Sequence, residues 1–172
     1  MTTVPYISTL QIENLATEIL FRHNLFAVPV NPVEVANREG INVYDTEFED
    51  RSISGVLRRE GDDFQIYVNS QHSSLRKRYT VAHELGHYFL HKEQVSAFID
   101  PELNLYRCDN NDASGTDSWF REVQANKFAA ALLMPAKLVA EQYAALQDID
   151  SLASMFLVSR EAMGIRISKL NH

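Results

Sequence analysis

The chain has 172 residues, 45% of them hydrophobic, enough to enclose one ordinary core, so a single domain over residues 1–172 is expected. Its net charge of −7 argues against broad electrostatic binding of nucleic acid. No stretch approaches the roughly 20 uninterrupted apolar residues of a membrane span, the polar N-terminus lacks a signal-peptide core, and a lone cysteine, Cys108, excludes an intrachain disulfide; together these point to the cytoplasm.

In chain order, Leu10, Leu15, Ile19 and Leu20 give a one-sided helical pattern between Thr9 and His23. A second helix is expected from Asn31, with Pro32 in its first turn and Gly40 past its end. Ile41 to Tyr44, Ile53 to Arg58 and Phe64 to Asn69 read as strands, with Glu60-Gly61-Asp62 as the turn between the last two. The expectation is a small antiparallel sheet of about three strands ahead of the next helix. Its last strand, at Ile66, Tyr67 and Val68, reads either as an ordinary half-buried strand or as an edge where an extended peptide substrate adds by strand pairing.

Next comes Thr80-Val81-Ala82-His83-Glu84-Leu85-Gly86-His87-Tyr88-Phe89. A helix advances about 100° per residue, so His83 and His87 stand one turn apart and aim two imidazoles at one point. Glu84 falls on the same side, where a carboxylate can take a proton from a metal-activated water; the spacing is H-E-x-x-H. Leu75, Tyr79, Ala82, Gly86, Phe89 and Leu90 repeat at helical spacing and supply an apolar face beside the histidines. Ser73 or Ser74 is the expected N-cap. Arg76, Lys77 and Arg78 then fill the first turn, against the helix dipole, for which the pattern alone gives no reason.

From Lys92 to Ser118 the chain runs through Asp, Asn, Ser, Gly and Pro, and reads as a long loop, a candidate lid over the metal. Trp119 to Met134 is strongly helix-forming and closes at Pro135. Glu122, Asn126 and Ala129 share one of its faces. A catalytic zinc usually has three protein ligands, so one zinc ion per chain is expected on His83, His87 and Glu122, with Asn126 hydrogen-bonding a ligand imidazole. His91 continues the series, but eight residues of helical rise put it roughly 12 Å from His83, too far to share one ion. Gly86 in a helix interior, with Ala125 and Ala129 on the other helix, points to close approach of the two. His23, His72 and His172 are assigned to the surface.

Leu152 to Met163, within a subregion spanning 148–172, reads as a C-terminal helical pair joined by a tight turn, with Ser159 as N-cap of the second helix. Leu157 occupies the turn position that often holds Gly, and only Arg160, Arg166 and Lys169 follow. Helical packing or docking of a partner is therefore expected ahead of DNA reading.

The chain resembles the ImmA/IrrE metallopeptidases. The resemblance rests on Ser54-Gly55, Ile66-Tyr67-Val68-Asn69, Arg78 through His87, and Glu122-x-x-Ala125-Asn126-x-Phe128-Ala129-Ala130-x-Leu132-Leu133-Met134-Pro135. It implies a zincin-like α+β fold, zinc on His83, His87 and Glu122, and Glu84 as general base. It also implies site-specific cleavage of a helix-turn-helix repressor or antitoxin, in mobile-element, stress-response or toxin–antitoxin circuits. Gln124 departs from many relatives, which carry an acid there. Tyr88, His91 and Tyr106 are the candidates for stabilising the oxyanion. The alternative is a DNA- or repressor-binding component with little proteolytic activity.

Overall fold

In the computed structural model, which describes residues 6–94, 97–101 and 117–170, Ser8 opens the first helix, α1 (Thr9–Arg22), through a capping box with Gln11. Its buried stripe is Ile12, Ala16, Ile19 and Leu20, while Leu10, on the opposite side, is exposed. Asn31 caps α2 (Pro32–Arg38), whose first residue has no N–H to leave unpaired, and Gly40 takes a left-handed φ of +77° just beyond it. His23 is not a bare surface residue: its Nε2 lies 2.6 Å from Glu39 Oε1, joining the ends of these two helices.

Among the described residues, four strands form one sheet: β1 (Asn42–Thr46), β2 (Ile53–Glu60), β3 (Asp63–Asn69) and β4 (Ala97–Pro101), in the order β1-β3-β2-β4. β2 and β3 make a hairpin about Gly61, whose φ of +65° suits a two-residue turn between Glu60 and Asp63. β1 joins β3 in parallel, with Tyr44 beside Tyr67, and β4 pairs antiparallel with β2. The class is α+β, with a mixed sheet one strand larger than expected. The position of Ile66, Tyr67 and Val68 overturns the edge reading. They lie on an interior strand with a neighbour on each side, so their backbone groups are already paired and cannot take up a peptide. Among the described residues the edges are β1 and β4. β4 falls inside the stretch expected to be a loop, and the rest of the lid expectation, including Tyr106, lies outside the described residues.

Ser73 caps α3 (Ser74–His91), which packs on β2 and β3 and, most extensively, on α4 (Asp117–Leu133). α1 covers the far side of α4. The basic first turn of α3 now has a reason. Arg76 donates to Ser54 Oγ at 3.0 Å, Lys77 pairs with Asp45 at 2.7 Å, and Arg78 donates to the carbonyls of Val30 at 2.6 Å and Leu157 at 3.3 Å. These tethers to β2, β1 and two loops offset the unfavourable dipole, worth at most about 1 kcal/mol per exposed charge.

Beyond Pro135 the chain forms α5 (Ala136–Leu146), α6 (Ile149–Phe156) and α7 (Arg160–Leu170). Asp148 caps α6, and Ser159 Oγ accepts from the Ala162 N–H at 3.1 Å to cap α7. Between them Leu157 adopts φ 53° and ψ 51°, a left-handed turn that costs a residue with a Cβ roughly 1–2 kcal/mol. Arg166 is buried and donates to both carboxylate oxygens of Glu13 and to the Met134 carbonyl, at 2.9 Å for the last. Arg160 pairs with Asp150 at 2.7 Å. Two of the three cations of the C-terminal pair are thus engaged within the fold. No helix among the described residues is long and apolar enough to cross a membrane.

Candidate metal centre

The site begins with the seam between α3 and α4. A Cβ built on Gly86 would lie 2.8 Å from Ala125 Cα and 3.0 Å from its carbonyl oxygen, so the two backbones meet where both residues are small. Ala125 and Ala129 are fully buried on the facing side of α4. This approach lets Glu122, three residues before Ala125, reach across to the α3 histidines.

His83 Nε2 and His87 Nε2 are 3.0 Å apart, Glu122 Oε2 is 3.2 Å from the first, and Glu122 Oε1 is 3.3 Å from the second. Three donors around one tetrahedral zinc, at bond lengths of about 2.0–2.1 Å, would be separated by about 3.3 Å. The observed spacings come within a few tenths of an ångström of that value, so the three groups fit a divalent ion. The imidazoles are 0% and 1% exposed and the Glu122 side chain 29%, so the centre opens to solvent on the α4 side.

Charge and hydrogen bonding suit the same purpose. Burial opposes the charge on Glu122, yet the contacts with His83 and His87 outweigh it and hold the carboxyl well below the usual carboxylate range. Burial pushes the His87 imidazole below its ordinary value, partly countered by Glu122, and so favours the neutral form that can donate a lone pair. Asn126 Oδ1 lies 2.9 Å from His83 Nδ1; accepting a proton there leaves Nε2 to face the centre. Glu84 is fully buried, and a carboxylate oxygen would stand 3.1 Å from a Cβ on Gly55 of β2. The absent Gly55 side chain is what gives Glu84 its room.

The expected oxyanion residues separate. Tyr88 packs edge-on against Phe64 at 5.1 Å with Lys92 over its ring at 4.7 Å. His91 is buried, 5.9 Å from the His87 ring between centroids, and bonds the Arg121 backbone; its nitrogens are not among the converging ligand atoms. Two residues near the centre were not assigned to the site from the sequence, where Tyr79 counted only toward the apolar face of its helix. Arg121 depresses the protonation of both His87 and His91 through its charge, and Tyr79 bonds Asn126. Each had a signal in its spacing: Arg121 adjoins Glu122, and Tyr79 precedes His83 by one turn.

Residues 36–168, which include both ligand-bearing helices, match the IrrE N-terminal-like domain family. The chain belongs to that family. Among its relatives, it is similar to the uncharacterized immunity region protein 2 of Bacillus phage phi105, 29% identical over 125 residues, covering 73% of this chain and 72% of the phage protein. It is also similar to metallopeptidase ImmA of Bacillus subtilis, 26% identical over 119 residues, covering 68% of this chain and 64% of ImmA. A solved structure of a Mycobacterium tuberculosis transcriptional regulator shares the fold, with a TM-score of 0.66 and 21% identity over 95% of this chain and 56% of that one. The chain therefore spans less than two thirds of ImmA and little more than half of the mycobacterial protein. α1 lies ahead of the family match.

Proposed function

We propose that this IrrE-like chain is a zinc-dependent endopeptidase that cleaves a specific protein, a helix-turn-helix repressor or antitoxin, in the cytoplasm. The observation that carries the reading is the convergence of His83, His87 and Glu122 at separations suited to one ion. Two imidazoles and a carboxylate are the donor set of known catalytic zinc sites. When bound, zinc supplies a Lewis acid that makes water acidic enough to be a nucleophile near neutral pH.

The chain's own residues do the rest. Glu84, on the same helix as the histidines, takes the proton of the attacking water and returns it to the departing amine. Asn126 holds His83 Nδ1–H, and Glu122 stays ionised beside the imidazoles. The substrate enters from the exposed side of Glu122. The kinship with a phage immunity region protein and a metallopeptidase supports a repressor substrate. Direct DNA reading is disfavoured, because Arg166 is buried against Glu13 and Arg160 is paired with Asp150.

The test is co-expression with candidate repressors, followed by mass spectrometry for fragments. Wild-type protein should yield a defined cut, and Glu84→Gln should keep its zinc while cleavage falls at least about 100-fold. If Glu84→Gln binds zinc and leaves the biological effect unchanged, the chain acts by binding rather than hydrolysis.

A further inference from the structure

One oxygen on α4 meets two side chains of α3. Asn126 Oδ1 accepts from the Tyr79 hydroxyl at 2.8 Å and lies 2.9 Å from His83 Nδ1. Tyr79 is 7% exposed, one turn ahead of His83, with the two rings 6.3 Å apart and inclined by 27°.

We propose that Tyr79 is a positioning residue for the metal centre, which pins the Asn126 amide oxygen against His83 Nδ1 so that His83 Nε2 keeps its lone pair toward the ion. The inference rests on the metal-binding reading above. A carboxamide presents an oxygen on one side and an NH2 of nearly equal size on the other. Only the oxygen can accept from Nδ1–H. If the amide turned over, Nδ1 would have to accept, and the ring proton would move to Nε2, the atom facing His87 and Glu122. A neutral imidazole offers one donor and one acceptor, so a proton at Nε2 removes the ligand.

A phenol can donate or accept, so Tyr79 alone does not choose the amide's direction. The ion does, because a liganded Nε2 leaves the proton on Nδ1. In that state Asn126 must present its oxygen and Tyr79 must donate to it; the three roles lock together. The hydroxyl therefore contributes most when metal is bound, which is how a positioning residue differs from one that only fills space.

The experiment uses the full chain and Zn(II) in competition with a chromophoric chelator. Tyr79→Phe keeps the ring and removes the donor, and should weaken Zn(II) binding about three- to tenfold, less than loss of a ligand's direct partner. The same substitution is then made with Asn126→Asp. A carboxylate has an oxygen on either side and needs no orienting, so the effect of Tyr79→Phe should vanish there. An equal loss in both backgrounds would mean that Tyr79 merely packs, and overturns the inference, as would unchanged affinity in Tyr79→Phe. Nitrogen NMR of Zn(II)-loaded wild-type protein gives a reading that needs no variant: His83 should carry its proton on Nδ1, and ligation through Nδ1 with the proton on Nε2 also overturns the inference. Wild-type protein that takes up no Zn(II) refutes the metal-binding reading itself, a result distinct from all of these.

Discussion

Gly86 and Ala125 touch backbone to backbone: the space a Cβ on Gly86 would need is held by Ala125 Cα, 2.8 Å away, and by its carbonyl oxygen at 3.0 Å. A helical backbone cannot swing aside as a side chain can. Gly86→Ala should therefore push α3 and α4 apart and cost about 1–3 kcal/mol of stability, against a helix-propensity gain of roughly 1 kcal/mol. Because Glu122 sits on the displaced helix, zinc affinity should fall as well. Urea unfolding of the metal-free protein and chelator competition measure the two effects, and a variant that keeps both would show slack at this seam.

Gly55 makes a separable prediction. A methyl group there would run into Thr80 Cγ2 and come within 3.1 Å of Glu84 Oε1, without meeting any proposed ligand. Gly55→Ala should leave zinc near stoichiometric and lower hydrolysis at least about tenfold, since the general base is displaced. Thr80→Ser removes the clashing methyl and should restore part of the rate. Loss of zinc in Gly55→Ala would contradict this division of labour.

The buried imidazoles set a pH dependence. His91 is pushed down to about 4, by burial first and then by His87 and Arg121, and His87 is lowered mainly by burial. In the unfolded chain an imidazole protonates near pH 6.5. Between that value and about 4 the unfolded chain binds more protons than the fold, so metal-free protein should lose stability as the pH falls. Thermal midpoints from about pH 7.5 to about pH 4.5 should decline, and His91→Gln should flatten the slope. Zinc retention should fall in the same direction, because protons compete for the nitrogen lone pairs. A metal-free midpoint independent of pH would refute the burial argument.

Glu13 and Arg166 form a largely buried pair, the arginine 7% exposed at its side chain and the glutamate 20%. Removing one partner leaves a charge without its counter-ion, so Glu13→Ala should destabilise the fold by about 3 kcal/mol. Replacing both, as Glu13→Leu with Arg166→Met, should recover much of that loss. Denaturant midpoints of the two single variants and the pair give the coupling; simple additivity would show that the charges do not depend on each other.

Much of the centre was legible because it is local. The one-turn spacing of His83 and His87, the face shared by Glu122 and Asn126, and the missing side chain at Gly86 each follow from helical geometry within a few residues. The cap Ser159 was legible for the same reason, and Ser73 as one of two neighbouring candidates. What escaped depends on distant pairings. β3 becomes interior only because β1 bypasses β2 to pair with it, and nothing in Ile66-Tyr67-Val68 announces a second neighbour. β4 was hidden because its strand signal is weak and its partner lies on β2, some forty residues back. Arg76, Lys77 and Arg78 looked misplaced until their partners on β2, β1 and the loops at Val30 and Leu157 were brought to them. Tyr79 was read as one more apolar residue of the stripe because its hydroxyl finds its acceptor only on α4.

The bond between Glu13 and Arg166 spans 153 positions, and so bears on how a ribosome delivers the molecule. Glu13 and the histidines emerge early, Glu122 much later, and Arg166 only after α4 and α5 have been made. A nascent chain paused before α7 therefore leaves an acid on α1 waiting for its counter-charge, and closure of that long loop cannot precede synthesis of α7.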